Sequence, residues 1–172
     1  MWQSDPEAEN EFRVEGDLIW IKLTQGKETC VDSGEWSRVK CYKWRARRCR
    51  SKFYAATTAP GTRGGILYLH RFLLPAPIEV DHKDRDGLNN RGTNLRSATV
   101  AQNQQNRKRG RDNTSGFRGV SWHRFSNHWR ASIRVNKRQR HLGYFTEKQA
   151  AAQAYDEAAK KYFGGFASLN FS

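Results

Sequence analysis

Apolar residues in the first sixty positions come in short runs. Leu18-Ile19-Trp20-Ile21-Lys22-Leu23 and Lys52-Phe53-Tyr54-Ala55 are examples, punctuated by Gly16, Gly26 and Asp32-Ser33-Gly34. Runs this brief, bounded by turn formers, predict several short strands across residues 12–58. Ala59-Pro60-Gly61-Thr62-Arg63-Gly64-Gly65 predicts a turn and residues 66–74 a further strand, ended by Pro75-Ala76-Pro77. Later in the chain, strand signals recur at 117–124, 128–136 and 138–145. The middle one alternates, with Trp129, Ala131, Ile133 and Val135 on one side and Arg130, Ser132 and Arg134 on the other. Asn136-Lys137-Arg138 suits a tight hairpin. Thr146-Glu147-Lys148-Gln149 has the pattern of a capping box with Thr146 as N-cap. A helix with a stripe of Ala150, Ala151, Ala154, Ala158 and Tyr162 then runs to Gly164-Gly165. The alanines let it lie close on a three-stranded sheet whose other face carries arginines. The expected class is α+β: a β-rich N-terminal region, a strand-strand-helix module, then an antiparallel three-stranded sheet packed on one α-helix.

Charge sharpens this picture. The 172 residues hold 31 Lys plus Arg against 17 Asp plus Glu, a net +14, and only 37% are hydrophobic. The imbalance is local: residues 107–141 contain eleven basic residues and one acidic, Asp112, whereas 1–62 contain eleven basic and nine acidic. Such a stretch inside a strand pattern predicts a nucleic-acid partner. Residues 107–114 hold no apolar side chain and predict a linker, with Arg107, Lys108, Arg109 and Arg111 meeting phosphates. No apolar run approaches the roughly 20 residues of a membrane span. Cys30, Cys41 and Cys49 match no zinc spacing and suit reduced thiols. The acidic N-terminus lacks an apolar signal core, so a cytoplasmic location is expected.

The candidate chemistry lies in residues 80–106. Val80-Asp81-His82 ends a strand, a loop rich in Asp, Gly and Asn follows, and Asn94-Leu95-Arg96 returns as a second strand. Thr99-Val100-Ala101-Gln102 predicts a helix start near Val100, with Asn103 on its first turn. Two strands and a helix can bring Asp81, His82 and Asn103 together. A carboxylate plus an amide oxygen is a sparse, hard ligand set that suits Mg²⁺, with Mn²⁺ as a substitute. His82, pointing to the other side of the strand, can take a proton from water near neutral pH. Asn94 can hydrogen-bond the loop backbone and fix where His82 points. Asp84 and Asp86 lack EF-hand spacing and read as solvated turn residues.

With these residues in place, Asp81-His82, Asn94-Leu95-Arg96 and Asn103, with Tyr68-Leu69-His70-Arg71-Phe72 upstream, resemble the HNH motif of ββα-metal homing-type endonucleases. The resemblance implies one divalent metal at Asp81 and Asn103, a general base at His82, loop positioning by Asn94, and 5′-phosphate and 3′-hydroxyl ends. His70 matches the family strand and reads as packing or a phosphate contact. Residues 115–171 resemble the plant apetala-two/ethylene-response-factor DNA-binding domain. The motifs are Phe117-Arg118-Gly119-Val120, Trp129-Arg130-Ala131-Ser132-Ile133-Arg134, His141-Leu142-Gly143-Tyr144-Phe145 and the alanine-rich helix up to Phe166-Ala167-Ser168-Leu169-Asn170-Phe171. That resemblance implies a sheet in the major groove, with Arg118, Ser121, His123, Ser132, Arg134 and Tyr144 facing DNA; strand alternation adds Arg130. Ser121 and His123 stand where the plant pattern usually has arginines.

The expected organisation is an N-terminal region over 1–62, a nuclease module over 63–106, a basic linker over 107–114 and a DNA-binding domain over 115–172. The expected activity is metal-dependent cleavage of double-stranded DNA by a monomer that uses no small-molecule cofactor. The competing expectations are an inert DNA-binding regulator and a structured-RNA binder.

Overall fold

A computed structural model describes residues 3, 7, 9–76, 79–106 and 113–171. The chain divides into two compact units, Met1–Val100 and Ala101–Ser172. Both are α+β, as the pattern of short strands predicts.

The first unit opens with β1 (Phe12–Glu15), β2 (Leu18–Lys22) and β3 (Glu28–Asp32), an antiparallel sheet in chain order. A short helix α1 (Trp36–Val39) leads to a second antiparallel sheet of β4 (Arg45–Cys49), β5 (Lys52–Thr58) and β6 (Ile66–Tyr68). Helix α2 (Leu69–Leu73) follows, then the two-stranded pair β7 (Glu79–His82) and β8 (Leu95–Ala98). One core joins these pieces: Ile19, Ile21, Val31, Val39, Trp44, Ala46, Ala55 and Leu69 are buried together, with Phe72, Leu73 and Leu88 packed against them. Trp44 is 1% exposed and satisfies its indole by donating Nε1–H to the Val39 carbonyl at 2.9 Å. Asn10 closes the other end of that contact, accepting from the Trp44 N–H at 2.8 Å and donating to the Lys22 and Trp44 carbonyls.

The expected strand over 66–74 is cut short. Only Ile66–Tyr68 extends, because Leu69, Phe72 and Leu73 have helical spacing and all three reach the same core. The helix expected near Val100 is α3 (Val100–Gln105), and the division between the two units falls one residue into it.

The second unit contains β9 (Val120–His123), β10 (His128–Val135) and β11 (Arg138–Phe145), ordered β11-β10-β9, and the helix α4 (Lys148–Phe163). The β10–β11 turn is Asn136-Lys137, both with positive φ (50° and 65°), as a two-residue hairpin with the right twist requires. Trp129, Ala131, Ile133 and Val135 pack toward α4 as their alternation predicts. Two expectations for α4 are corrected. Its first turn starts at Lys148 with Glu147 as N-cap and no side-chain cap bond, so the Thr146 capping box does not form. Its buried stripe is Ala151, Ala152, Tyr155, Ala158 and Ala159, not the line through Ala150, Ala154 and Tyr162. The reason is Tyr155, whose bulk turns the helix so that the ring enters the core near Gly119. The buried Asp156 carboxylate accepts the backbone N–H groups of Asn170 and Phe171, and Asn170 in turn accepts from the Arg118 N–H.

Gly119 has φ +73°, and a Cβ there would lie 2.0 Å from the Tyr155 ring and 2.6 Å from the Ser132 carbonyl oxygen. No side chain fits without moving backbone. Gly119→Ala is expected to destabilise the second unit by about 2–4 kcal/mol, from strain plus displaced packing. Urea unfolding followed by tryptophan fluorescence checks this; a loss below about 0.5 kcal/mol contradicts the close approach.

Candidate active site

Strand register sets the first two positions. In the β7–β8 ladder Asp81 pairs with Arg96 and His82 with Leu95, so Asp81 and Arg96 share one side and His82 points to the other. Asp81 is 5% exposed, and its Oδ2 accepts from Arg96 Nη2 at 2.6 Å and Nε at 2.8 Å. This buried pair fixes where the carboxylate points. His82 is 6% exposed and packs among aromatic rings, with centroids 5.1 Å from His70 and 6.0 Å from Tyr54. Burial pushes its pKa below the ordinary imidazole value, outweighing the opposite pull of its hydrogen bond to Asn90 and of nearby Asp84 and Asp81. The ring is therefore neutral at pH 7.

Which nitrogen carries the proton follows from three side chains. The Thr29 hydroxyl lies 2.6 Å from the Leu88 carbonyl oxygen, so it must donate there. Its oxygen then accepts from Asn90 Nδ2 at 2.8 Å, and the same amide nitrogen lies 3.4 Å from the Leu88 oxygen. The Asn90 Oδ1 consequently faces His82 Nε2 at 3.2 Å and can only accept. His82 thus holds its hydrogen on Nε2 and its lone pair on Nδ1. Strand β3 also pairs with this loop through its backbone, Cys30 N–H to the Leu88 carbonyl and Asn90 N–H to the Cys30 carbonyl. A Cβ on Gly87 would come within 2.4 Å of the Phe53 carbonyl oxygen, which shows how closely the loop lies on β5.

Asn90 and Thr29 are the residues that sequence reasoning missed. Asn90 reads as a turn asparagine, and nothing local marks a threonine 61 positions away as its partner.

Asn94 is buried and organises the loop rather than touching His82 in the bonds described. Its Oδ1 accepts the Asp84 N–H at 3.1 Å, and its Nδ2 donates to Asp84 Oδ1 and the Asn89 carbonyl. Asp84 is a loop hub more than a solvated turn residue, since it also accepts from Asn89 Nδ2 and the Asp86 N–H. Burial works to raise its pKa, but hydrogen bonds from Asp86, Asn94 and Asn89 prevail and hold it below the ordinary carboxylate value. His70, on α2, is 8% exposed and stacks on Tyr68 with ring centroids 5.5 Å apart. Its Nδ1 has no hydrogen-bond partner among the described residues. Burial, and next the neighbouring His82, lower its pKa from 6.5 to about 3.

Asn103 is the fourth residue of α3, in the second unit. Arg107, Lys108, Arg109 and Arg111 lie outside the described residues. On the second unit's sheet, Ser121 pairs with Arg130 and Arg130 with Tyr144, so these three share the face away from α4. Arg130 Nη2 lies 3.4 Å from Ser121 Oγ, and the His123 and Tyr144 rings are 5.1 Å apart on the same face. Ser132 and Arg134 continue it by alternation. Arg118 precedes β9, and its positive charge near Tyr155 on α4 opposes the upward push of burial on that hydroxyl's pKa. Among the described residues no three His, Cys, Asp or Glu side chains cluster as a metal site, and no helix is long and apolar enough to cross a membrane.

A family model described as HNH endonuclease matches residues 73–105. A protein described as an uncharacterized HNH endonuclease of Acanthamoeba polyphaga mimivirus is 30% identical over 179 residues, covering 98% of this chain and 89% of its own. An AP2-like ethylene-responsive transcription factor of Arabidopsis thaliana is 39% identical over 67 residues, 39% of this chain and 14% of that protein. Protein 3.8 of Escherichia phage T7 is 35% identical over 66 residues, 38% of this chain and 54% of its own. No solved structure matches.

Two expectations follow from the buried network. Asn90→Ala removes the acceptor at Nε2 and leaves Thr29 without its donor, which should cost about 1–3 kcal/mol. The imidazole ¹⁵N shifts of His82 should report a hydrogen on Nε2 in the parent and move toward a mixture of tautomers in the variant. For His70, the unfolded chain takes up a proton below pH 6.5 that the folded chain refuses down to about pH 3. Stability should therefore fall as pH is lowered through that window, by about 2 kcal/mol at pH 5 from this residue. Denaturant unfolding at pH 7 and pH 5 measures the difference, and His70→Phe, which keeps a ring in the aromatic cluster, should reduce it.

Proposed function

The chain belongs to the HNH endonuclease family, and from that premise we propose that it hydrolyses phosphodiester bonds of double-stranded DNA as a monomer, with His82 as general base and one divalent cation held by Asp81 and Asn103. The observation that carries the reading is the pair Asp81–His82 on opposite faces of β7, each buried and each held by its own partner. A neutral imidazole with its lone pair committed to Nδ1 is suited to accept a proton from water attacking phosphorus. Burial favours the neutral form at the cost of basicity, and the Asn90 carbonyl restores part of it by stabilising the imidazolium once formed.

The donor set fits a hard cation. The groups we assign to the ion are the Asp81 carboxylate, oriented by Arg96, and the Asn103 amide oxygen. Two oxygen donors are fewer than a protein-enclosed metal cluster offers, which suits Mg²⁺, an ion that keeps waters and takes substrate phosphate oxygens. When bound, such an ion offsets charge on the phosphoryl and departing 3′ oxygens. Asn94 keeps the 84–90 loop in the shape that presents Asn90 to the imidazole.

The second unit supplies duplex affinity through the sheet face of Ser121, His123, Arg130, Ser132, Arg134 and Tyr144. Support comes from the similarity to AP2-like plant factors and from the cationic face. Arginines there are suited to guanine edges, and Arg107, Lys108, Arg109 and Arg111 to phosphates. Arg118, near Tyr155 at the entry to the sheet, joins the DNA-facing set.

His82→Ala should lower cleavage about 100- to 10,000-fold while leaving duplex affinity within about twofold. A supercoiled-plasmid nicking assay with Mg²⁺ or Mn²⁺, and EDTA as control, reads the first; fluorescence anisotropy reads the second. Cutting at the parent rate by the variant rules out His82 as base. A parent chain that binds duplex and never nicks is an inert DNA-binding protein.

A further inference from the structure

Averaging charge over residues 1–62 conceals its distribution. All nine acidic residues of that stretch lie at or before Glu35, while Lys40, Lys43, Arg45, Arg47, Arg48, Arg50 and Lys52 put seven cations and no carboxylate into thirteen positions. These residues surround the β4–β5 hairpin of the first unit.

Register gives the hairpin two unlike faces. Arg45 pairs with Ala56, Arg47 with Tyr54 and Cys49 with Lys52, so these side chains share one face, which β6 extends with Tyr68 opposite Ala56. The other face carries Ala46 and Ala55 into the core, with Phe53 packed against it. Arg45 and Arg47 are exposed, and neither has a carboxylate partner among the described residues. The cationic face is continuous with the candidate active site. Tyr54, directly opposite Arg47, lies 6.0 Å from the His82 ring, and Lys52 is near enough for its charge to act on that imidazole. At the hairpin tip Arg50 has φ 56°, a backbone state that glycine or asparagine adopts at lower cost.

We propose that this face is a DNA-contact surface of the first unit, on which Arg45 and Arg47 hold phosphates flanking the scissile bond. The proposal rests on the nuclease reading above and deepens it, by giving the N-terminal sheets a part in substrate binding. A cationic strand surface leading to a base is complementary to a polyanionic backbone, and contacts of this kind position the duplex without reading its sequence. The guanidinium fork suits phosphate oxygens, whereas a lysine supplies a point charge in the same place.

The test uses the full chain carrying both Arg45→Gln and Arg47→Gln, with Arg38→Gln as a single-charge control on a residue already paired with Glu35. Binding to a duplex is measured by fluorescence anisotropy across a salt series. Loss of two phosphate contacts should reduce the slope of log K against log salt by about two and raise Kd about tenfold or more at low salt. The doubly substituted Arg45→Lys, Arg47→Lys chain should keep a slope near the parent's, which a merely structural role for the two arginines does not predict. In cleavage, the Gln variant should show raised KM with kcat nearly unchanged. An unchanged salt slope in the Gln variant overturns the proposal. Failure of the parent to nick DNA overturns the nuclease reading instead, and the binding slopes distinguish the two.

Discussion

A primary amide at 1% exposure must satisfy both of its ends inside the protein, and Asn90 does so in only one way. Its nitrogen needs an acceptor, and Thr29 can be that acceptor only because its own hydrogen is given to the Leu88 carbonyl. Its oxygen is then left to His82. Reversing the amide would set its oxygen against the Leu88 oxygen at 3.4 Å, so the arrangement is locked by repulsion as well as by bonding. The protonation pattern of the candidate base is thus decided in strand β3, far from it in sequence.

This gives the two N-terminal sheets a physical role. They supply the core that carries Trp44 and Leu69, the strand that clamps the 88–90 segment, and the Tyr54 ring beside His82. The same packing explains the electrostatics. His82 and His70 are neutral because rings and strands exclude water from them, and Asp84 is ionised despite partial burial because three hydrogen bonds from the loop favour its charge. In each case the solvent a group has lost is weighed against the donors or acceptors that replace it.

Much of the second unit was legible because its signals are local. Alternation along 128–135, the Asn136-Lys137 turn and the glycine stop after α4 each act within a few residues, and each is found where the pattern places it. The errors arose where tertiary packing chose among local options. Tyr155 rotated the α4 stripe, and the shared core turned 69–73 into a helix. At the candidate site, spacing singled out Asp81, His82 and Asn94, and all three are buried. It did not single out Asn90, since its distinction from Asn89 is burial, which depends on β3 arriving from elsewhere. The β4 arginines escaped notice because a regional average cancels them against carboxylates early in the chain.

The approach of Gly87 to the Phe53 carbonyl and the Tyr54 ring bears on how this molecule can be inherited. A stretch such as 73–105, exchanged alone between genes, would arrive without the surface its loop is moulded to and without the threonine that orients its asparagine. Recombination that preserves a working nuclease must carry the chain through α3 as one block, whereas the alanine-backed sheet beyond it has its own closed core.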